Sequence, residues 1–152
     1  MQNLIIYDSL YGNTRKIAEK IAGVMPQSKA LKVDALKPEI LQNIKFLIVG
    51  SPTQGGRPTI LLQRFLNQIP ANTLKNIKVA AFDTRLSEKD VNFALRLLIK
   101  TIGYAAPKIA KSLEKKGGKL AAPPRGFIVR GKEGPLADGE LERIDKWIKS
   151  LL

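Results

Sequence analysis

The stretch NLIIYDSLYGNTRKIAEKIAGV, residues 3–24, decides the fold class. Its first part, Asn3–Tyr7, is an apolar run typical of a buried β-strand. The part that follows, Asn13–Val24, repeats apolar side chains such as Ile17 and Ile21 at helical spacing, which predicts an amphipathic α-helix. A buried strand that enters a helix through a short loop is the first half of a βαβ unit.

The rest of the chain continues this alternation of short apolar runs and amphipathic stretches. Further strands are predicted at Ala30–Val33, Phe46–Gly50, Val79–Phe82 and Gly126–Val129. Strands that alternate with helices favour right-handed crossovers and a parallel sheet covered on both faces. We therefore expect an α/β fold, a doubly wound open sheet with helices on both faces, in one domain spanning residues 1–152. The remaining predicted helices are Pro38–Gln42, Thr59–Gln68, Ser87–Thr101, Pro107–Lys116 and the segment after Asp138.

Helix boundaries and buried faces follow from individual residues. Ser87 and Asp138 carry short polar side chains of the kind that cap helix N-termini, so each is predicted to start a helix. Leu61 and Leu141 fall on the apolar stripes of their helices and are predicted to face the core.

The loop between the first strand and the first helix is suited to an anion. Ser9, Asn13 and Thr14 supply short hydrogen-bonding side chains, and Gly12 lets the backbone approach a ligand closely. The N-terminus of the following helix points free N–H groups and a positive dipole end at this loop. The pattern predicts a phosphate site, although an ordinary helix cap would use the same residues.

Two further polar loops follow predicted strands. The segment GSPTQGGRPT, residues 50–59, has an irregular backbone because it contains three glycines and two prolines. Asp83, Thr84 and Arg85 end the next strand. Ligands of open α/β sheets bind beyond the carboxyl ends of the strands, so the three loops together predict a ligand site at one edge.

Composition limits the chemistry that the chain can perform. It contains neither cysteine nor histidine, so we expect no disulfide, no transition-metal site, and catalysis only through a bound cofactor. Its net charge of +13 favours acidic partners. The basic residues are spread along the chain without a basic arm or an RNA-binding motif, which argues against nucleic acid. No apolar run is long enough to span a membrane, and the N-terminus lacks a secretory pattern, so a cytoplasmic location is expected.

The three loops, SLYGNT, GSPTQGG and FDTR, in this order and spacing, resemble those of the flavodoxin family. The C-terminal segment GFIVRGKEGPLADGELERIDKWIKSLL is similar to the carboxyl end of such proteins, so the resemblance covers essentially the whole chain. It implies five parallel strands in the order 2-1-3-4-5. It also implies non-covalently bound FMN at the switch point between strands 1 and 3, where the strand order reverses.

The resemblance also implies roles for individual residues. The FMN phosphate would be held by Ser9, Tyr11, Gly12, Asn13 and Thr14. One side of the isoalloxazine ring would be bordered by Pro52, Thr53, Gln54 and Gly55, and the other by Asp83, Thr84 and Arg85.

The chain departs from the family pattern in several ways. Its second and third loops contain no Trp or Tyr to stack on the ring, and its composition is basic where the family is acidic. The segment Ser87–Ala106 looks inserted, in a position to line the site. Arg57 and Arg85 could approach the ring, which leads us to expect a less negative reduction potential than in acidic flavodoxins.

Three functions remain open at this point. The first is an FMN-binding electron-transfer protein, monomer or homodimer, that docks a redox partner protein through that partner's acidic face. The second is an FMN-dependent oxidoreductase acting on a quinone or porphyrinogen-like small molecule. The third is a flavin-free binding module on the same scaffold.

Overall fold

The computed structural model describes all residues, 1–152. Strands and helices mostly alternate along the chain. The strands are β1 (Asn3–Tyr7), β2 (Ser28–Lys32), β3 (Phe46–Pro52), β4 (Lys78–Leu86), β5 (Lys119–Leu120) and β6 (Arg125–Val129). The α-helices are α1 (Asn13–Val24), α2 (Ile60–Gln68), α3 (Phe93–Ile102), α4 (Ala105–Lys115) and α5 (Glu140–Leu151). Single 3-10 turns occupy Pro38–Leu41 and Glu88–Asp90.

The sheet confirms the predicted parallel order. β2 lies beside β1, β1 beside β3, and β3 beside β4, all in parallel register. The fifth position is shared by two short strands, since β5 pairs with the start of β4 and β6 pairs with its end. The segment between them contains Pro123 and Pro124, which have no N–H to donate, so the ladder is interrupted there.

Alternate strand residues build one core on each face of the sheet. Leu4 and Leu47 point to the face covered by α2 and α4, whereas Ile5 and Ile48 point to the face covered by α1 and α5. On the second face Phe82, Phe127 and Trp147 pack edge to face, with ring centroids 5.8–6.3 Å apart. The central strands are apolar on both faces because helices cover both.

The segment after β4 differs from the prediction of one long helix starting at Ser87. The Ser87 side chain accepts the N–H of Lys89 and caps only a 3-10 turn. Val91 is extended, and the side chain of Asn92 accepts the N–H of Leu95 at 2.8 Å, which starts α3. A second strong cap therefore divides the segment in two.

Three other expectations are wrong in detail. Asp138 does not cap α5, because its carboxylate pairs with Arg130 and the helix begins after Gly139, which is in the left-handed conformation. Leu61 and Leu141 are exposed. Both lie in the first turn of their helices but on the side that faces away from the sheet, since their direct neighbours Leu62 and Glu140 are buried.

The topology places every helix N-terminus of the βα units at the same edge of the sheet. Parallel strands end there and the following helices begin there, so this carboxyl edge collects the loops after β1, β3, β4 and β6. No helix is long and apolar enough to cross a bilayer.

Candidate cofactor site

A cleft of about 330 Å³ lies at the carboxyl edge between these loops. Its walls come from the loops after β1, β3, β4 and β6, which are far apart in the sequence. The lining residues are Ser9, Leu10, Tyr11, Asn13, Thr14, Pro52, Thr53, Gln54, Thr84, Arg85, Leu86, Val129 and Lys132.

The loop after β1 wraps around the hydroxyl of Ser9. Its oxygen accepts the N–H of Gly12 at 3.1 Å and that of Arg15 at 3.3 Å. Gly12 has a φ of 91°, a conformation that glycine adopts readily and other residues adopt only with strain. These contacts leave the hydroxyl proton of Ser9 free to donate to a ligand.

The same loop offers a set of unpaired backbone donors. The amide N–H groups of Leu10, Tyr11, Asn13 and Thr14 have no acceptor within the protein. The last two belong to the first turn of α1, whose N–H groups have no intrahelical partner. Four such donors at the positive end of a helix are the donor set that a phosphate requires.

The one carboxylate in this loop is held by hydrogen bonds. Asp8 is buried, and its side chain accepts the backbone N–H of Ser9 at 2.8 Å and the hydroxyl of Thr59 at 2.5 Å. Asp8 does not line the cleft. The residues around the phosphate position therefore suit a dianion, because no free carboxylate faces it.

The loop after β3 is fixed to its neighbours through Thr53. Its N–H donates to the carbonyl of Thr84 at 2.9 Å, and its hydroxyl oxygen accepts the N–H of Ala105 at 3.0 Å. Gln54 and Arg57 exchange two backbone hydrogen bonds across Gly55 and Gly56. Arg57 is thereby turned into a neighbouring depression, so its predicted approach to the ring is not seen.

The end of β4 contains a buried ion pair, because the strand continues through Leu86 and does not end at Phe82 as predicted. Asp83 is fully buried and accepts two hydrogen bonds from the Arg85 guanidinium, each of 2.7 Å, and the N–H of Ala106 at 2.8 Å. Asp83 therefore lies beneath the cleft and positions Arg85 and the start of α4. Arg85 remains in the cleft wall with its charge offset by this carboxylate.

Tyr104 supports the other face of Arg85. The guanidinium carbon lies 3.5 Å from the centre of the Tyr104 ring, a stacked cation–π contact. The hydroxyl of Tyr104 donates to Glu88 at 3.0 Å. Burial, together with this hydrogen bond to Glu88, raises the pKa of Tyr104 above its usual value, which stabilises the neutral phenol.

Side-chain contacts also join the start of α1 to the end of β4 and to the loop after β6. The buried hydroxyls of Thr14 and Thr84 lie 2.9 Å apart and share one hydrogen bond. The amide nitrogen of Asn13 donates to the carbonyl of Glu133 at 3.0 Å. Gly134 follows directly, and a Cβ there would lie 2.5 Å from the Asn13 amide atoms. The rim of the cleft is thus preorganised by hydrogen bonds between loops.

Most of the predicted residues meet at this cleft. Gly12 shapes the loop without lining the wall, Asp83 lies below it, and Gly55 lines an adjoining groove. Four residues that were not predicted from the sequence also line the cleft, namely Leu10, Leu86, Val129 and Lys132. The position of Lys132 could have been predicted, because it follows β6 and must lie at the same edge as the other three loops.

Comparisons with known proteins agree with this geometry. A family model for the flavodoxin domain matches residues 4–132. The structure is similar to oxidised flavodoxin 1 from Bacillus cereus, with 18% identity over 99% of this chain and 97% of that chain and a TM-score of 0.76. Flavodoxin 2 from Bacillus cereus is similar over the same shares, with 18% identity and a TM-score of 0.74.

A larger protein shares the fold as one of its parts. The flavodiiron core from Synechocystis matches over 99% of this chain but 35% of that chain, with 19% identity and a TM-score of 0.72. No curated protein sequence matches the chain.

The chain belongs to the flavodoxin domain family, since the family model covers most of its length. It is an FMN-binding, flavodoxin-type protein. The preorganised donors of the loop after β1 fit the phosphate end of that cofactor.

Proposed function

We propose that this protein is an electron carrier that uses FMN to exchange electrons with a redox partner protein in the cytoplasm. The observation that supports this proposal is the cleft at the carboxyl edge, where unpaired backbone donors lie beside a rim joined by hydrogen bonds. The function would belong to a single flavodoxin-like domain spanning residues 1–152. Bound FMN supplies the redox chemistry, and the chain orients the cofactor and tunes its potential.

The proposed roles of the residues follow their positions. Ser9, with the backbone N–H groups of Tyr11, Asn13 and Thr14, would bind the phosphate, and Gly12 would shape the loop around it. Pro52, Thr53, Gln54 and Gly55 would border one side of the ring, and Thr84 and Arg85 the other. Asp83 would act beneath them as the anchor of Arg85.

Titration with FMN tests the cofactor site, because flavin fluorescence is quenched on binding. We expect stoichiometric quenching, and an increase in Kd of about tenfold for Ser9→Ala, which removes one hydroxyl donor and the acceptor of two loop N–H groups. Thr73→Ala is the matched control, since its exposed hydroxyl lies in the loop between α2 and β4, at the opposite edge. Equal affinities for both variants would contradict the assignment of Ser9.

The basic rim supports an acidic docking face on the partner. Arg85 and Lys132 line the cleft, and the whole chain carries a net charge of +13. Electron transfer from the reduced protein to ferricyanide, an anion, should slow as salt is added, while transfer to hexaammineruthenium(III), a cation, should accelerate. The opposite pair of trends would contradict a basic docking rim.

The same charge bears on the reduction potential. Arg85 is paired with Asp83 and Arg57 lies outside the cleft, so the proposed rise in potential depends on Lys132 and the overall positive field. Potentiometry of the wild-type protein and of Lys132→Gln should give the more negative value for the variant.

A second function is favoured by one specific observation. An apolar groove of about 160 Å³ shares Thr53, Arg85 and Leu86 with the cleft, so a small molecule could lie beside the ring. A reductase acting on a quinone or porphyrinogen-like substrate would use this groove. Leu95→Trp, which fills it, should then slow reoxidation of the reduced protein by a water-soluble quinone and leave reoxidation by ferricyanide unchanged.

The flavin titration also distinguishes an electron carrier from the third function, a flavin-free binding module. A chain that gave no quenching, and that bound polyanions with a steep salt dependence, would be a flavin-free binding module.

A further inference from the structure

The helix α3 is apolar and buries none of its residues. Its sequence is FALRLLIKTI, in which Arg96, Lys100 and Thr101 are the only polar residues. Phe93 is 72% exposed, Leu97 49% and Leu98 50%. Exposed apolar side chains in this density mark a surface that binds another apolar medium.

The contacts of α3 hold it in place while leaving its outer side free. The side chain of Lys108 donates to the carbonyls of Ile102 and Gly56, at 2.7 and 2.5 Å, and Arg96 donates to the carbonyl of Glu88. One side of the helix lines the apolar groove through residues such as Leu95 and Ile99. Phe93 and Leu97, one turn apart, line neither the cleft nor the apolar groove.

The position of α3 places it at the edge of the sheet where most of the exposed apolar side chains lie. β4 ends and α4 begins at the carboxyl edge, so the whole segment between them lies at that edge. Of the twelve exposed large hydrophobic residues, the three outside this edge are Met1, Val24 and Leu152. The other nine lie in the loops or first helical turns that follow β1, β3 and β6, or on α3 itself.

Charge identifies the medium that this surface fits. The segment after β4 carries Lys89, Arg96 and Lys100 against Glu88 and Asp90, and Glu88 already accepts the hydroxyl of Tyr104. The chain as a whole carries +13. Long basic side chains can extend from an apolar helix to anionic headgroups while the apolar side chains enter the acyl boundary. A ten-residue helix is too short to span a bilayer but long enough to lie in its interface.

We infer that α3 docks this protein on an anionic bilayer surface through the exposed side chains of Phe93 and Leu97. A bilayer accepts exposed apolar side chains such as Phe93 and Leu97 in any arrangement, whereas a protein partner would need a surface shaped to them. This inference does not depend on the bound cofactor, because the residues that carry it lie on α3 outside the cleft.

Cosedimentation with vesicles tests the inference on the full chain, with and without FMN. We expect binding to vesicles that mix phosphatidylglycerol with phosphatidylcholine, and weak binding to pure phosphatidylcholine. The variant Phe93→Gln/Leu97→Gln should bind the anionic vesicles at least about tenfold more weakly. Val24→Gln is the control, because Val24 is 50% exposed at the opposite edge and should change binding less than about twofold.

A pair of charge variants separates local attraction from the overall charge. Lys89→Glu/Lys100→Glu and Lys29→Glu/Lys149→Glu change the net charge equally, and all four lysines are exposed. Only the first pair should weaken binding to anionic vesicles, by about fivefold or more for each reversed charge. Equal weakening by both pairs would overturn the placement of α3 at the lipid.

Two further results would overturn the inference. One is failure of the wild-type protein to bind anionic vesicles. The other is a concentration-dependent dimer that the Phe93→Gln/Leu97→Gln variant abolishes in the absence of vesicle binding, because a second copy would then cover α3.

Discussion

The rim of the cleft and the helix α3 occupy the same edge of the sheet, yet they are built in opposite ways. The rim buries polar side chains and satisfies them with hydrogen bonds between loops, as in the Thr14–Thr84 and Asp83–Arg85 pairs. The helix exposes apolar side chains and is held at its ends. A preorganised polar rim suits a fixed ligand, whereas an apolar surface without a partner suits a second binding event.

The ion pair under the rim should give the largest effect on stability. Asp83→Asn removes the charge that Arg85 requires and weakens the link to the N–H of Ala106. We expect the free energy of unfolding, measured by urea denaturation without FMN, to fall by about 3 kcal/mol.

The control for this prediction is an ion pair that is exposed to solvent. Asp34 and Lys32 lie 3.3 Å apart and are both exposed, so Asp34→Asn should change the same free energy by less than about 0.5 kcal/mol. Similar losses for the two variants would mean that burial of Asp83 contributes nothing to the rim.

The close contact between two loops comes next in size. Gly134→Ala would force a Cβ against the Asn13 amide and would also strain a backbone with a φ of 97°. Displacing Asn13 should raise the Kd for FMN by about tenfold, besides lowering the free energy of unfolding by about 1–2 kcal/mol.

Gly139→Ala isolates the effect of strain. Gly139 has a φ of 83°, but a Cβ there would meet nothing within 4 Å. This variant should lose similar stability and bind FMN with unchanged affinity. A parallel loss of affinity in both variants would argue that the Asn13–Glu133 contact has no role in the site.

The shared hydrogen bond of Thr14 and Thr84 should show coupling. Each single change to Val leaves the other buried hydroxyl without its partner, and should lower the free energy of unfolding by about 1–2 kcal/mol. The double change removes both hydroxyls, so its loss should be smaller than the sum of the single losses. Additive losses in a double-mutant cycle would show that the two side chains, and the ends of α1 and β4 that carry them, are energetically independent.

Ionisation of Tyr104 at alkaline pH should lower the free energy of unfolding by a smaller amount. Its pKa is raised in the folded protein, so its contribution is present below the unfolded pKa of about 10 and is lost as pH rises through the folded value. The wild-type protein should therefore lose more stability between pH 9 and pH 11 than Tyr104→Phe. The two unfolding curves remaining parallel over this range would contradict the assigned direction.

The sequence predicted the sheet and its three polar loops because these depend on local patterns. Apolar runs such as Phe46–Gly50 identify strands, and the carboxyl ends of parallel strands must share an edge. The role of Asp83 depends on Ala106, 23 residues away along the chain, and on a guanidinium that folds back onto it. No local pattern encodes that arrangement.

The segment after β4 shows where local patterns compete. Both Ser87 and Asn92 are good helix caps, and the sequence alone does not say which one begins the longer helix. The structure leaves α3 unburied because no second layer of helix or sheet reaches it at the edge.

The smallest expected effect concerns α3 and is the sharpest contrast with the rim. Phe93 and Leu97 are exposed, so Phe93→Gln/Leu97→Gln should change the free energy of unfolding by less than about 0.5 kcal/mol without lipid. Hydrogen exchange should show weak protection of the amides of α3 and strong protection of those in β4, which is hydrogen-bonded to strands on both sides. A large loss of stability would mean that α3 belongs to the folded core, and its apolar side chains would then need no external partner. An unchanged stability leaves binding as the physical reason for keeping Phe93 and Leu97 in water.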